Sequence, residues 1–277
     1  MLLSLHNPHK VFALLCILAV ATLSALQARG QAPFVTDDAD VTPKGHFHLQ
    51  LGNEVDQLQH AAFPSLRQNE FAVELDYGLI DGVEVDVVAP LLTIFNAREA
   101  ELENLLRRPT GLGDINVSVK YNFLKEREHS RRPALTLTFN IQFPTGDINR
   151  QLGSGLTDYY GNGVIQKSLT NKTILRLNGG ILFAGNLTTG AEGIRTRGTV
   201  FTGGGSLVKQ FTPRFDLGFE ITGAVTKNFQ LDQGQLQTLI GGNYALRKNM
   251  TFDFGFVAGK FAASPRAGVL LGLSIDF

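Results

Sequence analysis

The chain has 277 residues, with 25 Lys+Arg against 25 Asp+Glu, a single cysteine and no tryptophan. Zero net charge leaves no basic footprint for a nucleic-acid partner, and one cysteine excludes an internal disulfide. No apolar run of about 20 residues follows residue 28, which excludes an ordinary helical membrane protein, so any membrane crossing falls to strands.

The first 28 residues read as an export signal. Lys10 precedes the apolar run 11–26, and small residues follow at Ala25, Ala28 and Gly30, placing cleavage near 28–30. Cys16 is preceded by Leu15 instead of a small residue, which argues against a lipoprotein box, and its removal with the signal leaves no thiolate for a metal site. Residues 29–45 form a separate N-terminal segment, expected to be periplasmic or to act as a plug, and residues 46–277 form the main domain.

From residue 46 onward, apolar and polar residues alternate with the period of two expected of strands. The segments are 46–55, 68–78, 82–91, 113–124, 134–143, 158–169, 172–184, 198–209, 214–226, 235–245, 249–258 and 266–277. Two are especially regular. Ile115, Val117, Val119, Tyr121 and Phe123 alternate with Asn116, Ser118, Lys120 and Asn122, and Leu135, Leu137, Phe139, Ile141 and Phe143 alternate with Thr136, Thr138, Asn140 and Gln142. Each run is about ten residues, the length a tilted strand needs to cross a bilayer.

The connections alternate in length as well. Short ones at 78–81, 170–171, 210–213 and 246–248 sit between longer ones at 56–67, 92–112, 144–157, 185–197, 227–234 and 259–265, with 125–133 as an unusually long, basic member of the short set. The chain ends on an apolar stripe, Ala267, Val269, Leu271, Leu273, Ile275 and Phe277. A final strand closed by Phe277 is the signal by which the barrel-assembly machinery would be engaged. The pattern predicts an all-β fold: a transmembrane antiparallel up-and-down β-barrel of about twelve strands, with ten or fourteen also compatible, in the bacterial outer membrane. Alternation alone fits a soluble barrel equally well, since such a barrel buries the same apolar face. The membrane reading rests on the export signal, the terminal Phe and the loop asymmetry together.

Three segments then carry a resemblance. The run Pro33-Phe-Val-Thr-Asp-Asp-Ala-Asp-Val-Thr-Pro-Lys-Gly-His-Phe, followed by Leu112-Gly-Asp-Ile-Asn-Val-Ser-Val-Lys-Tyr-Asn-Phe and Gln142-Phe-Pro-Thr-Gly-Asp, resembles the outer-membrane family named for the MetA pathway of phenol degradation. The resemblance implies a channel for aromatic or other small hydrophobic molecules, loosely similar to fatty-acid and toluene channels. Its motifs mark strands and turns, so it assigns no binding residue.

In a membrane barrel the polar face lines the lumen. Glu70, Glu74, Asp76, Glu84, Asp86, Asp216, Glu220, Asp253 and Asp276 are then expected to point inward, against only Lys120 and Arg176. Carboxylates clustered on the neighbouring strands 68–78 and 82–91 would concentrate cations and repel anions, unless they are ordinary paired wall residues. Twelve strands enclose a modest lumen, and two segments could narrow it: residues 31–45, and loop 92–112, in which 97–107 reads as a short helix with Leu102, Leu105 and Leu106 on one side.

No catalytic site is legible. The mature histidines are His46, His48, His60 and His129; His46 and His48 could take a metal with Glu54, but no complete ligand set is visible, and no His-x-Ser pair or phosphate-binding glycine motif occurs. The sequence therefore predicts a non-enzymatic channel without cofactor or metal, whose partners are the outer-membrane lipid, the assembly machinery and small hydrophobic cargo. The competing reading is a structural or surface-binding barrel without transport.

Overall fold

The computed structural model describes residues 32–98, 105–127, 131–183, 199–226 and 234–277. The expected export signal, His129 and most of the expected helix at 97–107 lie outside the described residues.

The strands are β1 (Phe47–Gln57), β2 (Ser65–Ile80), β3 (Val83–Asn96), β4 (Thr110–Leu112), β5 (Ile115–Leu124), β6 (Ala134–Phe143), β7 (Asp158–Thr170), β8 (Thr173–Phe183), β9 (Thr199–Thr212), β10 (Phe215–Thr226), β11 (Gln235–Arg247), β12 (Met250–Lys260) and β13 (Ala267–Asp276). The short β4 pairs with Leu91, Leu92 and Thr93 of β3, and β5 continues along the same partner from Asn116 to Tyr121, so β4 and β5 are two pieces of one stave. That makes twelve staves, each antiparallel to the next. The sheet closes where β1 pairs with β13, from His48 opposite Asp276 to Gln57 opposite Ala267. Closure leaves no edge strand with a row of unpaired backbone groups, which an open sheet cannot avoid in lipid.

The polarity of this barrel settles the ambiguity left by alternation. Phe139 is 51% exposed on the outside while Lys120, Glu220 and Asp253 are 3%, 1% and 0% exposed on the inside. A soluble barrel would bury Phe139, Leu137 and Val119 and show its charges to water. Here the large apolar side chains form the outer belt, and lipid is the solvent that suits it. In place of tryptophan, phenylalanine and tyrosine gather near the end carrying the short turns: Phe47 lies 4.7 Å from Tyr77 and 5.7 Å from Phe277, and Phe215 lies 6.2 Å from both Phe211 and Phe254. An interfacial girdle needs amphipathic or flat rings, and these supply it.

Two glycines fix the turn end. Gly82 has φ +81°, a conformation that L side chains avoid, and turns β2 into β3 in two residues. Gly78 lets the incoming chain pass close to the wall, since a Cβ there would stand 2.1 Å from the Pro43 carbonyl oxygen. β2 and β3 extend further at their outer ends than alternation predicts, to Ser65 and Asn96. There Arg67 and Arg108 lie 5.4 and 4.9 Å from the centre of the Phe95 ring.

Candidate functional site: the lumen and its N-terminal segment

Residues 32–44 enter the barrel and run round the inside of its wall before joining β1. A buried segment without helix or ladder must find partners for its backbone elsewhere, and inward side chains of the wall provide them. Asn243 of β11 donates to the Ala32 carbonyl. Glu220 of β10 accepts from the Val35 and Thr36 amides at 3.1 and 2.5 Å. Gln166 of β7 accepts from the Ala39 amide at 3.2 Å, and Thr136 of β6, with Asn122 of β5, donates to the Ala39 carbonyl. Glu84 of β3 accepts from the Thr42 amide. Phe34 packs against Val208 and Leu239, which β9 and β11 turn inward.

Charge holds the centre of the segment. The Lys120 ammonium lies 2.9 Å from a carboxylate oxygen of Asp37, 2.9 Å from one of Asp38 and 3.9 Å from Glu84, and Arg176 reaches Asp38 at 3.8 Å. Thr138 donates to Asp37 at 2.9 Å. Burial alone would raise the Asp38 pKa, but the neighbouring Lys120 and Arg176 outweigh it and hold the carboxyl below its ordinary value. The two inward cations therefore serve as counter-ions to the segment and do not face an open passage.

The outer mouth is narrowed by the loop between β6 and β7. Asp114, at the break between β4 and β5, accepts from the Gly146 amide at 2.9 Å, the Ser154 amide at 2.7 Å and Gln142 at 3.2 Å. These bonds fold the loop inward and bury Leu152 against Leu92 and Ile94 on the inner face of β3. The sequence offers residues 31–45 and loop 92–112 as segments that could narrow the lumen, and gives no sign of the β6–β7 loop in this role. In loop 92–112, β3 continues to Asn96 and β4 resumes at Thr110, while the residues 99–104 at the heart of the expected helix lie outside the described set.

The model of the family described as "Putative MetA-pathway of phenol degradation" matches residues 33–277, a span that takes in the luminal segment and all twelve staves. The chain belongs to this family. No curated protein matches it. Among solved structures it is similar to the COG4313 outer membrane channel from Pseudomonas putida F1, with TM-score 0.66 and 15% identity over 87% of this chain and 98% of that one. It is also similar to the NanC porin, with TM-score 0.54 and 10% identity over 83% and 98%, and to the translocator domain of autotransporter NalP from Neisseria meningitidis, with TM-score 0.51 and 9% identity over 97% and 98%. These likenesses concern the fold. Together with the outward apolar belt they make this member of the family a β-barrel of the bacterial outer membrane.

Within the family member's lumen, the charges singled out from sequence fall into separate groups. Glu84, Lys120, Arg176 and Glu220 meet at the N-terminal segment. Asp76, Glu84 and Asp86 lie together on β2 and β3, with one oxygen of each within 4.8 Å of the others. Glu74 accepts from Gln50 at 3.1 Å, and Asp253 accepts from Asn243 and Ser274, each at 2.7 Å. Asp216 stands opposite Asn243 on the inner face. Glu70 stands apart, opposite Glu54 towards the outer end. His48 bonds Asp276 at 2.6 Å, and Glu54 lies six residues further along β1, so these two do not share a site. Sequence reasoning missed Asp37, Asp38 and Asp114. The first two had a signal: three acids in Asp37-Asp38-Ala39-Asp40 precede strands in which alternation turns just Lys120 and Arg176 inward among the described residues. Asp114 had none, because its role depends on a strand break that alternation does not mark.

Proposed function

We propose that this barrel carries small hydrophobic or aromatic compounds passively across the outer membrane, by way of the lumen and past the N-terminal segment. The observation that supports the cargo class is that the contacts closing the lumen are apolar at two levels: Leu152 on Leu92 and Ile94 near the outer mouth, and Phe34 on Val208 and Leu239 deeper in. A benzene-sized solute that parts these contacts recovers about 25 cal/mol for each Å² of apolar surface it buries, which a hydrated solute does not. Membership of a family described by phenol degradation agrees with that class. The reading takes the path through the lumen, and the β6–β7 and β7–β8 ladders, continuous past Gly161 and Gly163, agree with it. The reading involves no covalent chemistry. It also takes β13, ending at the exposed Phe277, as the segment offered to the assembly machinery.

The test is entry of labelled toluene or phenol, and of a simple sugar, into liposomes holding the refolded barrel, against empty liposomes. Faster aromatic entry without sugar entry is expected. Equal entry of both classes would make the protein a general pore. Entry of neither would favour a structural or surface-binding barrel, a reading supported by how firmly the wall fastens the luminal segment.

A further inference from the structure

We propose that the wall of the lumen holds one hard divalent cation, Ca²⁺ or Mg²⁺, between Asp76, Asp86 and Glu84. The β2–β3 register sets Asp76 directly opposite Asp86 on the inner face, and Glu84 is the next inward residue of β3. One oxygen of each carboxylate lies within 4.8 Å of the other two, and the three residues are only 7%, 7% and 5% exposed. Independently of their proximity, Oδ1 of Asp76 and Oδ1 of Asp86 are both buried with no hydrogen-bond partner. A carboxylate oxygen enclosed in this way, beside a second carboxylate, needs either a cation or a proton.

The surroundings do not supply the missing charge. Ser118 gives Asp86 a single hydrogen bond, at 3.2 Å, to its other oxygen. Lys120 is 3.9 Å from Glu84 but 2.9 Å from both Asp37 and Asp38, so its charge is shared among three acids. His48, opposite Asp76 on β1, is turned to Asp276. Three carboxylates thus share a fraction of one positive charge. The donor set contains only oxygen, which selects hard cations of the calcium and magnesium type over zinc or copper, and water in the lumen would complete the coordination. Glu84 ties the site to the N-terminal segment, because it also accepts from the Thr42 amide. A bound cation would neutralise the wall behind that segment and leave Lys120 to Asp37 and Asp38, so cation binding should tighten the segment. This proposal does not depend on what the barrel transports.

The experiment uses the full chain refolded from denaturant into detergent free of lipopolysaccharide, stripped with EDTA and titrated with Ca²⁺ and then Mg²⁺ by calorimetry. Folding is checked by the heat-dependent shift in gel mobility. The expected result is one saturable site, weakened at least tenfold in Asp86→Asn and lost in Asp76→Asn with Asp86→Asn, while Glu70→Gln, altered at the separate outer acidic group, binds as the wild type does. The cation should also raise the unfolding midpoint of the wild type and leave that of Asp86→Asn unchanged. No saturable binding to the wild type would overturn the proposal and mean that the carboxyls hold protons. Undiminished binding to either Asp86 variant would overturn it too, by placing the cation elsewhere.

Discussion

Lys120 lies on the inner face of β5, almost fully buried, and its ammonium group faces carboxylates from two separate parts of the chain. Removing one member of such a group strands the others in a poorly solvated place, which costs far more than the intact group contributes. Lys120→Met should therefore lower stability by about 3–5 kcal/mol, read as a drop in the denaturant midpoint, while Lys120→Arg keeps the charge and loses much less. Asp38 makes a prediction in pH. Its folded pKa lies below the ordinary value of 3.8, so its contribution is complete above that value and disappears as pH falls through the lower folded one. The stability difference between wild type and Asp38→Asn should be constant from pH 7 to about 5 and shrink only below about 4. A difference already lost at pH 5 would mean that Lys120 and Arg176 do not govern this carboxyl.

The luminal segment and the folded-in outer loop behave as elements of their own, since each depends on wall side chains instead of a ladder. Asp114→Ala removes the acceptor for the Gly146 and Ser154 amides and leaves buried donors unpaired. It should expose the loop around Ser154 to added protease while the barrel stays folded. Deletion of residues 32–42 should raise single-channel conductance severalfold, and unchanged conductance would show that the segment does not obstruct the passage. At this scale the sequence was an uneven guide. The staves were legible because lipid on one side and water or polar packing on the other force strict alternation, as in Ile115 to Phe123. The outer extensions of β2 and β3 were not, since above the belt nothing demands that Leu66 and Arg67 alternate. The interior contacts were hidden for a different reason: which inward residues meet depends on closure, on register and on how the N-terminal segment lies. Asp76 and Asp86 become a pair only once the β2–β3 register is known, although alternation alone shows their strands to be rich in inward carboxylates.

For the molecule as a whole, the inverted polarity makes position within the bilayer a measurable quantity. Phe139 lies midway along β6 and Phe123 at the short-turn end of β5, and both project outward with similar exposure, 51% and 47%. Replacing either with arginine removes the same ring, so the loss of apolar contact is comparable. What differs is the depth at which the guanidinium is placed. An arginine at the midplane costs about 2–4 kcal/mol and one near the interface about 0–1, because the interfacial side chain reaches the headgroups while the central one cannot. Phe139→Arg should then destabilise folding into bilayers by roughly 2–3 kcal/mol more than Phe123→Arg, measured by reversible denaturant titration in vesicles. In detergent micelles, whose thin shell lets either side chain reach water, the gap should narrow. A gap of the same size in both media would mean that local packing, and not depth in lipid, sets the cost, and would contradict a barrel whose outer belt is matched to the membrane.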